Sequence, residues 1–456
     1  MDTGRDSGPD EQRERGGATT SRQDPPGPAV PRQGPSDPTT GPAPLPPRSG
    51  TPAPPGTEPA DGPRSDEETP PRSGTPAPPG TEPADGPRSD EETPSRSGQD
   101  TGPTPGGASP YRRLVRGWRH PRLRTPRRIA LGLVLLLLFP LLAGGIALRV
   151  NYAGDPAAGT RTRNRDALWL GHAWVDGRKS DADLDALAER LRSTGIRDLY
   201  VHAGPLEHDG SLPATAYPSA GRLIAAVHER LPRVRVQAWL GDELATETPD
   251  GMRLRRAGTR DAVVRSAGRI LDAGFDGVHF DLEPLHSGDT HYLALLDRLH
   301  ALTRARHVQL SVASHQIDPL PGLHSAAGTV TGHPKWWSQA YFGQVARRVD
   351  QIAVMSYDTA MPLQSLYGGY VAQQTALALE VTPKSTDLLM GLPFFHENKM
   401  GHSAYAETVA AAVRGTRLGL SRTDRTREHF GVALYVDFAA TETDWTAYRE
   451  DWVGKE

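Results

Sequence analysis

The sequence contains no cysteine in its 456 residues, which excludes disulfide bonds and thiolate metal ligands. Aromatic residues make up only 6% of it, and the formal net charge is -3. A net charge this small gives no indication of nucleic-acid binding, which normally requires a basic surface. No glycine-rich phosphate loop follows the first predicted strand, and this disfavours a nucleotide-binding doubly wound sheet. We therefore expect no nucleic-acid partner and no cofactor.

Residues 1–110 are rich in Pro, Gly, Ser, Thr and charged residues. Within them, segment 47–70 is repeated without change as segment 71–94, and neither copy has an apolar residue larger than Ala. Such a chain cannot bury enough apolar surface to offset its ordering entropy, so we predict a disordered tail. We interpret the 24-residue repeat as a spacer that grew by duplication. A docking or phosphorylation tail with unknown partners is the alternative.

Residues 111–128 form an arginine-rich segment without an acidic residue, and an uncharged apolar run follows at once. The run is long enough to cross a bilayer, so we predict a transmembrane helix over 129–149. The arginine excess before it predicts a cytoplasmic N-terminus and an extracellular C-terminal domain, in a single-pass plasma-membrane protein. A cleaved signal peptide is the alternative, but the long preceding segment argues against it. Residues 150–166 are interpreted as a short polar tether.

From residue 167 to 456 the chain alternates between short apolar runs and amphipathic stretches. Eight such runs can be counted, and their predicted bounds are Leu168–Trp174, Arg197–Ala203, Arg233–Leu240, Gly277–Glu283, Val308–Ser314, Gln351–Tyr357, Asp387–Pro393 and Val432–Phe438. Eight strand–helix units in roughly 290 residues are typical of a (β/α)8 TIM barrel. A doubly wound sheet is the structural alternative.

The fourth predicted strand carries the most informative pattern. Side chains alternate with period two along a strand, so Val278, Phe280 and Leu282 would share one face. His279, Asp281 and Glu283 would then share the other. Ionised groups are costly inside a sheet unless they are paired or used. We therefore favour a functional site here over a structural ion-pair cluster.

Other strand ends bring acids and aromatic residues to the same predicted rim, where barrel active sites lie. Aromatic faces pack on sugar rings and carboxylates act on glycosidic bonds, so this composition suits a carbohydrate. Several residues at the ends of the predicted strands would lie at this rim, including Trp174, Trp239, Met355, Tyr357, Asp358 and Tyr435.

Three motifs resemble those of glycoside hydrolase family 18, the chitinase-like barrels. Segment 276–283 (DGVHFDLE) is similar to the family's fourth-strand Asp-Gly-apolar-Asp-apolar-Asp-apolar-Glu. Segment 355–358 (MSYD) is similar to its sixth-strand Met-x-Tyr-Asp, and segment 391–394 (GLPF) to its seventh-strand run. The three occur in the family's order, and the resemblance covers roughly residues 165–450.

The resemblance implies a role for each matching residue. Glu283 would be the general acid, and Asp281 would orient and stabilise the substrate's own 2-acetamido group, which acts as nucleophile. Tyr357 would donate a hydrogen bond to the acetamido carbonyl. Residues two apart on a strand are about 6.6 to 7 Å apart, so Asp281 would raise the pKa of Glu283. His279, Met355 and Asp358 would support these three.

The sequence also departs from the family pattern. His279 replaces the first aspartate of the fourth-strand motif, where it could hydrogen-bond Asp281 or, as a cation, hold that carboxylate ionised. Tyr435 occupies the place of the eighth-strand Trp, for which Trp445 is a possible substitute. Segment 238–242 replaces the third-strand Ser-x-Gly-Gly. The residues expected to bind the sugar are Trp174, Trp239, Tyr435 and Trp445.

Four histidines fall at or near strand ends, where a metal-dependent hydrolase would place its ligands: His172, His202, His279 and His315. No His-x-His or His-Glu-x-x-His spacing supports a metal site, so we favour hydrogen-bonded pocket histidines and expect no metal. Trp336 and Trp337 could equally stack on a sugar or pack a helix.

Together these features predict a membrane-anchored glycosidase that cleaves β-linked N-acetylglucosamine polysaccharide, either chitin or peptidoglycan. A barrel that binds carbohydrate but has lost turnover is the first alternative, because of His279. A metal-dependent hydrolase that uses the histidines is the second.

Overall fold

The computed structural model describes residues 125–246, 248–325 and 335–454. The predicted tail, its repeats and most of the arginine-rich segment lie outside the described residues.

Eight parallel strands close into a barrel, with each strand hydrogen-bonded to the next along the chain and the last to the first. Their bounds are β1 Asp166–Leu170, β2 Ile196–Pro205, β3 Arg235–Glu243, β4 Gly277–Glu283, β5 Gln309–Ser314, β6 Gln351–Val354, β7 Asp387–Pro393 and β8 Phe430–Tyr435. Ala167 of β1 pairs with Ala433 of β8, which completes the ring. The predicted (β/α)8 barrel is confirmed, and the doubly wound alternative is excluded.

A helix follows each strand and packs on the outside of the barrel. Their bounds are α1 Asp181–Leu191, α2 Ala220–Arg230, α3 Ala257–Asp272, α4 Thr290–Ala305, α5 Gln339–Ala346, α6 Gln364–Val381, α7 Val409–Thr423 and α8 Glu442–Ala447. Helix α1 illustrates why these segments are helical. Ser180 and Asp183 form a reciprocal capping box at its start. Leu184 and Leu187 lie on its buried face, as the periodicity predicts.

Several element ends differ from the predicted ones. Strands β4 and β7 have the predicted bounds, but β6 ends at Val354 rather than 357. Strands β1 and β8 begin earlier and are followed by short 3-10 turns, His172–Trp174 and Asp437–Ala439. The apolar residues that suggested longer strands therefore lie in the loops at the rim.

The inside of the barrel is filled with side chains and does not form a pore. Trp169 and Tyr200 belong to an inner cluster of buried apolar residues. Deeper in the barrel, the buried Asp198 carboxylate accepts two hydrogen bonds of 2.7 Å from the Arg235 guanidinium. Gln351 Nε2 donates to the same carboxylate at 3.0 Å. Because every charged group in this layer has a partner, its burial is tolerated.

An additional helix, Thr125–Asn151, precedes the barrel. Its segment Ile129–Asn151 is long and apolar enough to cross a membrane. The segment after it, interpreted from the sequence as a short polar tether, is hydrogen-bonded to the barrel. Ala157 N–H donates to Ser421 Oγ at 2.8 Å, and Thr162 N–H donates to the Trp452 carbonyl at 3.1 Å. These bonds hold the connection against the barrel up to the start of β1.

Candidate active site

Strand β4 presents the alternation that its sequence predicts. Phe280 and Leu282 belong to the apolar cluster between the sheet and the helices. His279 lies inside the barrel, and Asp281 and Glu283 follow on the same face toward the carboxyl end. The Glu283 side chain is 43% exposed, so it lies at the rim, with Oε1 3.9 Å from Nε2 of His315. The strand thus places a mostly buried carboxylate and a more accessible one two residues apart.

The Asp281 carboxylate is held in an unusual state. Its Oδ2 accepts a hydrogen bond of 3.1 Å from Nε1 of Trp239 on β3. Its Oδ1 is buried and has no hydrogen-bond partner among the described residues. Burial raises the pKa of Asp281 to about 6, although the Trp239 hydrogen bond acts in the opposite direction. This carboxyl group can therefore change its protonation state near neutral pH, and one of its oxygens can accept a further bond.

Tyr357 reaches the same place from the end of β6. Its ring stacks on that of Tyr435, with centroids 5.4 Å apart, and Tyr435 in turn contacts Trp239 at 6.1 Å. Burial raises the pKa of the Tyr357 phenol well above its usual value, and the nearby Tyr435, Asp281 and Glu283 add to the rise. The phenol is therefore a hydrogen-bond donor at any working pH. The three residues predicted to be catalytic converge on one region of the rim.

His279 forms the floor under these residues, but it does not contact Asp281 in the way the sequence allowed. Its Nε2 accepts from Trp169 Nε1 at 3.2 Å, and its Nδ1 lies 2.8 Å from Ser311 Oγ. Because an indole nitrogen can only donate, Nε2 carries no proton and Nδ1 donates to Ser311. Burial lowers the pKa of His279 well below its usual value. Neither role that the sequence allowed, a hydrogen bond to Asp281 or a cation that holds it ionised, fits these contacts.

The four aromatic residues predicted to bind sugar divide into two pairs. Trp239 and Tyr435 lie in the cluster around Asp281. Trp445 is on α8, only 2% exposed, and packs against Phe394 beneath the barrel wall. Trp174 is 7% exposed and donates to Asp437 Oδ2 at 2.7 Å. Trp445 and Trp174 therefore present no open ring face to a ligand, which corrects both assignments.

Asp358, which adjoins Tyr357, belongs to a second polar cluster on the same side of the rim. His402 Nδ1 lies 3.0 Å from Asp358 Oδ1 and 3.4 Å from Glu407 Oε2. Despite burial, which acts in the opposite direction, hydrogen bonds to the two carboxylates raise the pKa of His402 to about 9. The cluster touches the site through Phe395, whose ring lies 4.3 Å from His402 and 5.6 Å from Tyr357.

The side chains of Asp358, His402 and Glu407 are close enough together to hold a metal ion. Two ammonium groups argue against a cation there. Lys399 Nζ donates to Asp358 Oδ2 at 3.0 Å, and Lys335 Nζ donates to the Asp358 carbonyl at 3.1 Å. The charges favour a protonated His402 between two carboxylates, which is an ion-pair network.

The other histidines and tryptophans that the sequence analysis singled out have structural partners. His172 Nδ1 donates to the His202 carbonyl at 2.9 Å, and burial lowers the pKa of His202 to about 4. His315 Nε2 accepts from the Leu285 N–H at 3.1 Å. Trp337 is buried and donates to the Leu285 carbonyl at 2.9 Å, and Trp336 donates to Tyr370. Met355 contributes its backbone carbonyl, which accepts from Gln316 Nε2 at 3.1 Å.

Sequence reasoning missed several residues that shape the site. Trp169 and Tyr200 enclose His279, whose ring stacks on that of Tyr200 at 3.8 Å. Both residues alternate with outward-facing neighbours on β1 and β2, so their inward position could have been read from strand periodicity. Phe395 and His402 lie in the long β7–α7 connection, for which no sequence pattern gives a position.

The fold and the site together define a (β/α)8 barrel with two carboxylates, a phenol and an indole at its carboxyl rim. No family model and no curated protein matches the sequence. Among solved structures, the barrel is similar to the spore cortex-lytic enzyme SleL of Bacillus megaterium, at 14% identity and a TM-score of 0.46, over 64% of this chain and 75% of that one. A chitinase from Chromobacterium violaceum matches at 13% identity and a TM-score of 0.44, over 64% and 99%.

Proposed function

We propose that the protein is a membrane-anchored glycoside hydrolase that acts on β-linked N-acetylglucosamine polysaccharide. The observation that carries the proposal is the position of Asp281. It lies between the Trp239 indole and the rim, with a raised pKa and one buried oxygen that has no partner among the described residues. Glu283 and Tyr357 open onto the same region. A structural ion pair would not leave a buried carboxylate in this state.

The proposed reaction proceeds with retention and uses the substrate's 2-acetamido group as the nucleophile. Glu283, in its protonated form, gives its proton to the glycosidic oxygen as the bond to the anomeric carbon breaks. The acetamido carbonyl oxygen attacks that carbon from the opposite side. Asp281 accepts a hydrogen bond from the acetamido N–H, and the Tyr357 phenol donates one to the carbonyl oxygen. Glu283 then removes a proton from the water that opens the intermediate.

Two features of the site geometry support this scheme. An acid that is 43% exposed can reach a leaving group at the mouth of the site. A buried carboxylate and a phenol below it can hold an amide, which offers one donor and one acceptor. Trp239 and Tyr435 provide aromatic surface beside them for a sugar ring. Chitin and peptidoglycan strands both carry the required acetamido group.

The anchor is the second part of the proposal. The uncharged run within Ile129–Asn151 supports a single span, and the arginines before it support a cytoplasmic N-terminus. The barrel would then face the cell exterior at the plasma membrane, where polysaccharide is accessible.

Glu283→Gln tests the assignment of the acid. The matched control is Glu243→Gln, because Glu243 pairs with Glu283 across the β3–β4 register and lies at the same rim. Release of reducing ends from chitin oligomers and from peptidoglycan is measured for the full-length protein. We expect loss of activity in the first variant and near-normal activity in the second. Equal activity in wild type and Glu283→Gln would reject the assignment.

The alternative is a barrel that binds carbohydrate but does not hydrolyse it. It remains an alternative because position 279, two residues before Asp281, holds a histidine and not an acidic residue. Tight binding of N-acetylglucosamine oligomers without hydrolysis from pH 4 to 8 would establish it. Loss of activity on addition of a chelator would instead indicate the metal-dependent hydrolase.

A further inference from the structure

The N-terminal helix does not simply precede the barrel but packs along it. A side chain at Gly369 in α6 would collide with the Leu148 carbonyl oxygen, and one at Gly368 would collide with the Tyr152 ring. Arg422 in α7 donates at 2.6 Å to each of two carbonyls, those of Asn151 and Ala153. Glycine at the two α6 positions permits this close approach of backbones. The end of the helix is therefore fixed to α6 and α7.

The direction of the packed helix follows from these contacts. Leu148 lies at the level of Gly369, whereas Asn151 lines a small cavity with Ala372, Gln373, Ala376 and Leu377, which lie one to two turns further along α6. The N-terminal helix therefore runs in the same direction as α6. Helix α6 starts just after the carboxyl end of β6, so it runs from the rim toward the opposite end of the barrel.

It follows that the apolar part of the N-terminal helix projects beyond the rim that carries Asp281 and Glu283. Gly369 is five residues from the start of α6, which is about 7.5 Å along the helix. The described side chains from 129 to 144 are all exposed. That exposed length is about 24 Å, somewhat less than the ~30 Å hydrocarbon core of a bilayer. A span this short would draw the rim close to the headgroups.

An independent observation concerns the exposed apolar side chains. Outside the N-terminal helix, the large apolar side chains that are most exposed in the described part of the chain are Leu320, Leu363, Met400, Tyr405 and Phe438. All five lie in connections that follow the carboxyl ends of β5 to β8. These are the strands on the side of the barrel where α6 and α7 hold the N-terminal helix. The connection after β2, on the other side, instead exposes Glu207, His208 and Asp209.

We propose that the catalytic rim of the barrel faces the bilayer, and that its β5–β8 loops contact the lipid headgroup region through these apolar side chains. The inference rests on the proposed membrane anchor, and it adds an orientation that the anchor alone does not fix. Apolar and aromatic side chains on loops are suited to the interface between headgroups and acyl chains. The substrate would then be glycan that lies against the membrane surface. Polymer far from the membrane would have the least access to the site.

The absence of cysteine allows a direct test. Single-cysteine variants of the full-length protein are labelled with a polarity-sensitive NBD fluorophore and reconstituted into phosphatidylcholine–phosphatidylglycerol vesicles. Tyr405→Cys and Leu320→Cys report on the β5–β8 side of the rim, next to the N-terminal helix. Asp209→Cys reports on the β2 side of the same rim. Arg233→Cys, in the connection between α2 and β3, reports on the opposite end. The vesicles also contain a lipid that carries a doxyl quencher close to its headgroup. We expect this lipid to quench the fluorescence of the label strongly at positions 405 and 320 and more weakly at position 209. The label at position 233 should not be quenched.

Flotation of the vesicles is measured on the same samples, which separates the two proposals. Protein that does not float with the vesicles would overturn the anchor and the orientation together. Protein that floats but is quenched equally at 405 and 233, or more strongly at 233, would overturn the orientation alone. Gly369→Leu, which forces the helix off α6, should leave flotation intact and abolish the difference between positions. Persistence of the difference in that variant would refute the role of the packed helix.

Discussion

Replacing Asp281 with asparagine should make the protein more stable at neutral pH while it removes activity. The pKa of this carboxyl group is raised by burial from 3.8 to about 6. The difference of about two units corresponds to roughly 3 kcal/mol of free energy. Because the folded state binds the proton more tightly than the unfolded state, stability is lost as the pH rises from about 4 to about 6. Asparagine has no charge to desolvate and should escape that loss.

The expected result is a difference that depends on pH. At pH 4 the wild-type carboxyl group is protonated when folded, so the two proteins should melt at similar temperatures. At pH 8 the variant should melt about 6 °C higher, if the full ~3 kcal/mol is recovered. Any constant cost of burying the amide cancels when the two pH values are compared. The measurement is thermal unfolding of the full-length protein in detergent, followed by tryptophan fluorescence.

Two outcomes would refute the reasoning. A change in melting temperature that is the same at pH 4 and pH 8 would show that Asp281 does not titrate between them. A variant that is less stable than wild type only at pH 8 would show that the ionised carboxylate is stabilised by its surroundings. Asp242→Asn is the control, since burial also raises the pKa of Asp242 but His208 lies 3.1 Å from its carboxylate. It should show a smaller dependence on pH.

Three further changes test neighbouring groups. Trp239→Phe removes the hydrogen bond that lowers the pKa of Asp281, so the acid limb of the pH–rate profile should move to higher pH; an unmoved limb would contradict the contact. Tyr357→Phe should lower kcat about 100-fold without lowering the melting temperature, and unchanged turnover would remove the phenol from the mechanism. His402→Gln should abolish the fall in unfolding free energy that wild type shows as the pH rises from about 6.5 through about 9, because the protonated imidazole is the stabilising form; a fall retained in the variant would contradict this.

The barrel and the convergence of its acids could be predicted because both depend on local periodicity. The alternation of apolar and polar residues along β4 predicted which side of the sheet Asp281 faces. The eight alternating strand and helix segments predicted the closed barrel. The predicted ends of the strands were less accurate. Residues such as Trp174 continue the apolar pattern of β1 into a loop, where the side chain packs against the next element instead of facing the site.

The partners of individual side chains could not be predicted, because they come from strands distant in sequence. The sequence allowed His279 to hydrogen-bond Asp281, two residues away. The barrel offers it Trp169 and Ser311 instead, which satisfy both ring nitrogens. The position of a residue on its strand shows which face its side chain lies on, but not which neighbouring side chain on that face becomes its hydrogen-bond partner. The Trp239 contact with Asp281 was missed for the same reason.

The path of the chain into β1 explains how a single span could present the rim with Asp281 and Glu283 to the membrane. In a parallel barrel, β1 begins at the end opposite the active site, so a span joined directly to it would point that rim away from the bilayer. Here the N-terminal helix enters on the rim side, descends along α6, and is followed by a connection that is hydrogen-bonded to the barrel through Ala157 and Thr162. The connection reaches the far end before β1 starts. The glycines of α6 are therefore as important to the proposed orientation as the apolar span itself.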